Sequence, residues 1–346
     1  MSIKERFEVH IFDLQDRICA ALEISDGIGL FAGQVMISAN MNLQHIDWSH
    51  DPIPNENFEH FGHLNSALLL PSITIGLSDY WNMNYLQTIA IRKMGWGPHD
   101  ISVHHRDESS LDDYANANGG LLGDSRIKFK YLLNNTGMQA GNRIFIGLGL
   151  LIPSNNELTS DPFFLEEKAE SGSVDWSSEG HEHRHFALSD GNYKGLLEIQ
   201  YFNKRKNNPV FWGLKLDLQL PFKESDYGYD AGNSYTLSFS SLFKPNKKIS
   251  DLGVSGFSTG IVLLHASDGY WNGFLDPTSN STMLIPTLGA IFKVGASSIA
   301  FNIQKPLLID GIGIGSENAL NNNFDAIELT IGYRHTLDYV IPWLYF

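Results

Sequence analysis

What the chain lacks excludes several classes of protein. No run of about 18 or more apolar residues occurs in its 346 residues, so no transmembrane helix is predicted. Cys19 is the only cysteine, which excludes an intrachain disulfide framework and a cysteine metal cluster. The formal charge of −15 argues against a nucleic-acid partner. A secretion signal needs an apolar stretch after a basic start, and charges interrupt any such stretch near the start of this chain. If the protein crosses a membrane, we expect its signal to lie upstream of this numbering.

The residues that are abundant favour β-sheet. The aromatic fraction is 12% and there are 32 glycines, whereas charged residues make up only 18% of the chain. A chain of this length can form two ordinary domains or one large β structure. Because a strand crosses a membrane with about 9 to 11 residues, the missing apolar runs do not exclude a membrane β-barrel.

Alternating apolar residues bounded by turn residues predict about twelve strands. The predicted strands lie near residues 27–40, 64–78, 83–94, 123–134, 142–154, 192–204, 208–222, 233–244, 252–266, 281–295, 297–308 and 324–338. Short and long connections alternate between them without exception. This rhythm is typical of an up-and-down barrel that carries turns at one rim and loops at the other.

The strand NRIFIGLGLLIPS, at residues 142–154, separates two kinds of residue on its two faces. One face carries an unbroken apolar row, and the other carries Arg143, Gly147 and Gly149. Other strands likewise combine a wholly apolar face with one that keeps full charges. A soluble β protein with its apolar face on a core is the alternative. Tyrosines near the ends of the apolar rows favour instead the interfacial girdles of a membrane barrel.

The sequence therefore predicts an all-β protein, a transmembrane up-and-down antiparallel β-barrel of about 12 strands, or alternatively about 14, with short periplasmic turns and long extracellular loops. We expect residues 27–346 to form the barrel and residues 1–26 to form an N-terminal segment that acts as a plug or as a periplasmic extension. The predicted location is the bacterial outer membrane, whose lipid and lipopolysaccharide are partners. Phe346 looks like the terminal aromatic residue that the outer-membrane insertion machinery reads.

Three stretches resemble a known family. HHRDESS (residues 104–110), GDSRIKFKYLL (123–133) and RIFIGLGLLIPSNN (143–156) look like the outer-membrane proteins grouped under the MetA pathway of phenol degradation. IPTLGAIFKVG and SSIAFNIQKPL are similar to that family's late hairpin, and the resemblance covers roughly residues 60–340. It implies a barrel that passes small and often hydrophobic molecules across the outer membrane, and it supplies no catalytic residues.

The inward rows of the predicted barrel are rich in basic side chains. These candidate solute-contacting residues are Arg92, Arg126, Lys128, Lys130, Arg143, Lys194, Lys215 and Arg334. If the barrel is open, a basic lumen favours anionic or neutral polar solutes. If it is narrow, the same charges pair with each other and with a plug.

Most of the 13 histidines lie in the first three predicted long connections, among many carboxylates. The candidate metal ligands are His104, His105, His181, His183 and His185. Imidazole with carboxylate suits zinc, copper or nickel, so a divalent metal is the one possible cofactor. No spacing matches a closed four-ligand motif, and a solvated polar rim is the alternative.

The stretch LLHASDGYWNG offers an enzymatic alternative. His265 and Ser267 lie two residues apart and so share one face of a predicted strand, with Asn272 shortly after. Outer-membrane lipid hydrolases use a similar arrangement, in which histidine activates serine and a polar residue orients the histidine. The favoured hypothesis is nevertheless a channel for passive passage of small, hydrophobic or anionic molecules, without covalent chemistry.

Replacing His181, His183 and His185 together by alanine should lower the affinity for Zn²⁺ or Cu²⁺. The three imidazoles share one face if the segment is extended, and their loss removes the chelating set. Titration calorimetry measures the affinity, and unchanged binding would leave only the solvated-rim interpretation.

Overall fold

The structure is a computed structural model. It describes residues 29–50, 60–96, 121–136, 140–157, 159–161, 165–171, 187–250, 253–276, 279–311 and 323–345. The predicted N-terminal segment 1–26, the candidate metal ligands His104, His105, His181, His183 and His185, and Phe346 all lie outside these residues.

Sixteen β segments account for most of the described chain. Their bounds are β1 Gln34–His50, β2 His60–Gly76, β3 Trp81–Trp96, β4 Leu122–Asn135, β5 Gly141–Ile152, β6 Lys194–Lys204, β7 Phe211–Pro221, β8 Tyr229–Asp230, β9 Ser234–Phe243, β10 Val254–Ala266, β11 Tyr270–Trp271, β12 Phe274–Leu275, β13 Ser281–Val294, β14 Ser297–Gln304, β15 Leu307–Gly311 and β16 Asn323–Val340. The short helices are α1 Leu165–Ser171 and α2 Lys247–Ser250, and a 3-10 turn spans Pro342–Leu344. None of the helices in the described part is long and apolar enough to span a membrane.

The long strands form one antiparallel sheet that closes on itself. Neighbours follow chain order from β1 to β10, omitting the short β8; β1 also pairs with β16, and β10 pairs with β13 to complete the ring. Because β14 and β15 pair with successive parts of β13, they count as one interrupted strand of the barrel. The result is a closed 12-strand antiparallel barrel, which confirms the predicted fold class.

The first predicted strand differs from the structure at both of its ends. β1 begins at Gln34, although the strand was predicted from residue 27. β1 extends to His50 and pairs with β2 throughout, although residues 41–50 were predicted to begin a long connection. The prediction was wrong here because the inward residues Asn40, Asn42 and Gln44 look like loop residues, whereas they alternate with outward Met41 and Leu43.

The predicted strand 297–308 is interrupted at Lys305 and Pro306, between β14 and β15. Proline has no backbone N–H to donate to a ladder, so a break at this position is expected on physical grounds. The pairing of β14 with β16 accordingly ends at Gln304 and Glu328.

Connections differ in length at the two ends of the barrel. The end that carries residues 77–80, 205–210 and 295–296 is called the short-turn end, and the opposite end is called the long-connection end. At the long-connection end, β8, β11 and β12 form a separate small sheet. Its core packs Trp271 on Tyr229, with ring centroids 4.8 Å apart, against Ala187.

The two faces of the barrel wall have opposite chemistry. Outward side chains are apolar and exposed, as Ile146 (41%) and Leu148 (57%) are on β5. The same outward row on other strands includes Ile37, Met41, Leu69, Ile73, Phe129, Ile199, Leu214, Leu237, Phe257, Ile261, Leu288, Ile303, Ile327 and Leu329. Such a continuous exposed apolar surface is foreign to a soluble monomer and needs an apolar solvent.

Aromatic side chains lie near both ends of this outward surface. At the short-turn end, Trp81 packs on Tyr131 with ring centroids 4.9 Å apart, and Tyr201 packs on Trp212 at 5.2 Å. At the long-connection end, Tyr235 stacks on His265 at 5.9 Å. These positions match the two interfacial girdles that the sequence predicts.

A glycine lies at the seam where the barrel closes. Gly289 of β13 is in register with Ser258 of β10 on one side and Asn302 of β14 on the other. The Ser258 hydroxyl donates across Gly289 to the Asn302 Oδ1 atom at 3.2 Å. A Cβ atom at Gly289 would lie 1.8 Å from that oxygen, so this crossing requires glycine.

Gly289→Ala should destabilise the barrel by about 1–3 kcal/mol, because the added methyl group overpacks the Ser258–Asn302 contact. Unfolding in urea after refolding into detergent micelles measures the loss. Gly289→Ala combined with Asn302→Ala should regain part of it, because the obstructing side chain is removed. A single variant as stable as the wild type would contradict the proposed crowding.

Candidate functional site

A buried charge cluster lies on the inner wall of the barrel. It consists of Lys128 and Lys130 on β4, Glu198 on β6, and Lys215 and Asp217 on β7. The Glu198 carboxylate lies 2.7 Å from the Lys128 Nζ atom, 3.6 Å from that of Lys215 and 3.8 Å from that of Lys130. Asp217 pairs with Lys215 at 3.0 Å. One carboxylate therefore joins lysines from strands on both of its sides.

Glycines on β5 make this arrangement possible. Gly147 lies in register between Lys130 and Glu198, and Gly149 lies beside Lys128. A Cβ atom at Gly147 would lie 2.9 Å from the Glu198 Cβ atom, and one at Gly149 would lie 2.8 Å from the Lys128 Cγ atom. Strands β4 and β6 are two ladder spacings, about 9.6 Å, apart. Their side chains can therefore meet only if a long side chain crosses β5 where β5 has no side chain of its own.

The centre of the charge cluster is almost completely removed from solvent. The exposed fraction is 1% for the Glu198 side chain and 2% for that of Lys130. Gln200 adds a further contact, because its Nε2 atom donates to the Glu198 Oε1 atom at 2.7 Å. Charges buried to this degree are tolerated only when they are paired and hydrogen-bonded. The cluster therefore packs this side of the lumen with paired charges.

The remaining predicted inward basic residues lie elsewhere on the wall. Arg143 donates from its Nε atom to Asn135 Oδ1 at 3.4 Å, and Lys194 pairs with Asp190. Arg126 is in register with Leu151 on the same wall, whereas Arg334 lies on β16. Arg92 lies in β3, opposite Ser66. The structure thus brings Lys128, Lys130 and Lys215 together.

Sequence reasoning missed the central position of Glu198. Its place on the inward row of β6 was evident from alternation. Alternation does not show, however, which residues of different strands lie at the same height along the barrel axis. The signal that could have found it is the Gly147–Gly149 pair, because paired glycines on one inward row indicate that neighbouring side chains cross there.

An apolar layer lies between the charge cluster and the short-turn end. The buried side chains of this layer are Phe145, Phe202, Phe211, Leu242, Ile291 and Ala300. Phe202 lies between Phe145 and Phe211, with ring centroids 6.1 Å and 5.3 Å away. Gly213 leaves room for the Phe202 ring, which would be 2.5 Å from a Cβ atom there. The lumen is therefore lined by paired charges and then by apolar rings.

The long-connection end carries carboxylates close to one another. Burial raises the pKa of the Glu157 carboxyl, and the neighbouring carboxylates of Asp226, Asp124 and Asp190 raise it further. Asn192, which is fully buried nearby, donates to the backbone oxygens of Lys223 and Tyr229 and so ties the connections together. The described part of this rim therefore groups four carboxylates.

The candidate catalytic residues have other partners. His265 faces outward, and its Nδ1 atom lies 3.0 Å from the Thr282 hydroxyl. Ser267 accepts a hydrogen bond from the Asn233 backbone N–H at 2.9 Å. Asn272, with a φ of 47°, lies in the turn between β11 and β12. These contacts hold His265 in the outer girdle and Ser267 at a connection.

The described residues hold no group of three or more His, Cys, Asp or Glu side chains placed to bind a metal ion. The predicted ligands His104, His105, His181, His183 and His185 lie outside those residues, so metal binding stays a prediction. His45 was predicted in a loop, but it lies in β1, where its Nδ1 atom contacts Asn65 Oδ1 at 2.7 Å.

The barrel can be compared with known proteins. No family model matches the chain, and no curated protein matches it. It is similar to the solved COG4313 outer membrane channel from Pseudomonas putida F1, with a TM-score of 0.54 and 13% identity over 89% of this chain and 97% of that one. The chain has that fold. The resemblance to the MetA-pathway group stays a prediction.

Two further solved structures have lower scores. The TodX monoaromatic hydrocarbon channel deltaS2 mutant has a TM-score of 0.46 and 7% identity over 91% of this chain and 92% of that one. The translocator domain of the autotransporter NalP from Neisseria meningitidis has a TM-score of 0.40 and 8% identity over 96% and 97%.

Glu198→Gln should destabilise the barrel by about 3–5 kcal/mol, because it leaves three buried lysines around a neutral side chain. Asp226→Asn is the matched control, since it breaks the exposed Lys223–Asp226 pair, whose side chains are 62% and 83% exposed. That change should cost less than about 1 kcal/mol. Urea unfolding in detergent micelles measures both, and equal losses would contradict the stabilising role of the cluster.

Proposed function

We propose that this chain is a bacterial outer-membrane protein whose barrel passes small molecules through a narrow lumen. The observation that carries the proposal is the opposition of the two faces, because the outward surface is apolar and exposed while the inner wall keeps lysines and carboxylates. Lipid is the solvent that suits the first face, and water or a polar solute suits the second. The similarity in fold to an outer membrane channel supports the same function.

The short-turn end faces the periplasm in this proposal, and the long-connection end faces the outside. Barrels of the outer membrane generally carry their turns and loops in this arrangement. A solute entering from outside meets the carboxylates of the rim first, then the charge cluster, and then the apolar layer that contains Phe145 and Phe202. Chemistry is not required at any of these steps, so transport is passive diffusion.

The lining supports small anionic or hydrophobic solutes. Lys128, Lys130 and Lys215 outnumber the two carboxylates of the cluster, which gives this level a positive excess for an anion. Inward Leu151 and Leu196, both buried on the long-connection side, and the aromatic layer on the other side offer apolar contacts. Within the cluster, the residues proposed to contact the solute are Lys128 and Lys215, whose side chains are 11% and 15% exposed.

Lys215→Gln should shift ion selectivity towards cations. Lys215 is the least buried lysine of the cluster, with a side chain 15% exposed, so its loss changes the charge of the lumen with little change in packing. The anion-to-cation permeability ratio, measured as the reversal potential across planar bilayers in a KCl gradient, should fall by roughly twofold.

Lys223→Gln is the control for this experiment, because it removes the same charge from an exposed side chain outside the barrel strands. It should leave the reversal potential unchanged. The absence of any conductance from wild type and both variants would contradict the channel, and equal shifts in both variants would contradict the role of the cluster.

A further inference from the structure

Residues 29–33, called here the lumenal strap, lie inside the barrel at its short-turn end, just before β1. Leu30 is only 6% exposed, and its backbone N–H donates to the Asn82 Oδ1 atom at 2.6 Å. A Cβ atom at Gly29 would lie 3.3 Å from the ring of Phe145. Since Asn82 and Phe145 both belong to inward rows, the lumenal strap crosses the apolar layer that lines the lumen.

Gly76 makes this crossing possible. It is the last residue of β2 and lies on the inward row with Thr74. A Cβ atom at Gly76 would lie 2.0 Å from the backbone oxygen of Phe31, so the strap passes directly over bare backbone. The Gly33 N–H then donates to the Gly76 oxygen at 2.7 Å, where the chain turns into β1.

The strap is attached differently from the strands. Its N–H groups donate mainly to side chains: Leu30 to Asn82, Phe31 to Gln34 at 3.0 Å, and Ala32 to Asp79 at 3.2 Å. A segment that is not paired as a strand opens at a lower free-energy cost than a strand paired on both sides. The strap is therefore attached less firmly than the strands that surround it.

From this geometry we infer that the lumenal strap is the gate of the channel, which opens when Leu30 and Gly29 leave Asn82 and Phe145. The inference rests on the proposed function, because a gate needs a path to control. In the closed state the strap covers Phe145, whose exposed fraction is 1%. In the open state the rings of the apolar layer become one wall of the solute path.

A disulfide that locks the strap tests the gate. In a full-length Cys19→Ser background, Gly29→Cys and Asn82→Cys place two thiols near each other, because a Cβ atom at Gly29 would lie 3.8 Å from the Asn82 Nδ2 atom. Oxidation should lower the current in planar bilayers by about tenfold or more, since the minor open state is no longer reached. After reduction, the current should exceed that of the wild type, because the Asn82 acceptor is gone.

The control pair is Ser38→Cys with Ser72→Cys in the same background. The two hydroxyls lie 2.6 Å apart within the β1–β2 ladder, so this disulfide joins strands that are already paired. Oxidation of the control should leave the current unchanged. Equal currents from the oxidised and reduced strap variant would overturn the gate while leaving the channel in place.

Thiol labelling tests the position of the strap independently of current. In full-length Cys19→Ser, Leu30→Cys should react with a water-soluble maleimide much more slowly than Asn207→Cys in the exposed turn between β6 and β7. Adding Asn82→Ala should speed the reaction. Equal labelling rates at residues 30 and 207 would overturn the position of the strap. In the bilayer experiment, the absence of current from the wild type and from every variant would overturn the channel and the gate together.

Discussion

The whole structure depends on a backbone ladder that has no free end. Pairing of β10 with β13, of β14 with β16 and of β16 with β1 closes the ring, so the edges of these strands are paired instead of meeting solvent. In lipid this closure is required, because hydrocarbon cannot hydrogen-bond to an exposed N–H or carbonyl group. Closure also divides the side chains into an outward and an inward set, and every other feature follows from that division.

The inward set must then solve a problem of buried charge. A carboxylate such as Glu198 is costly in a dry interior unless counter-charges reach it, and the lysines on the next strand but one supply them. The cost of this solution is borne by β5, which gives up side chains at Gly147 and Gly149. Paired charges near the middle and rings at the short-turn end together narrow the lumen to a path that residues 29–33 can close.

Most of the barrel was predictable from the sequence, and particular residues explain the rest. Period-two alternation located strands such as β5 and β10 within two residues, because lipid and lumen impose opposite chemistry on successive positions. The extension of β1 was missed because its inward row carries asparagine and glutamine. The charge cluster was predicted only as a list of basic residues, since alternation specifies a face but not a level. The strap was missed because residues 29–33 were predicted to belong to the first strand, which begins only at Gln34.

The glycine crossing on β5 also bears on the size of the barrel. Lys130, Gly147 and Glu198 are level on three consecutive strands, so the ion pair fixes the register of two adjacent ladders at once. A slip of one residue in either ladder would turn a partner to the outside face. Register summed around a closed sheet is the shear of the barrel, and shear with strand number determines its radius. Two missing side chains therefore help to determine how wide the barrel can be.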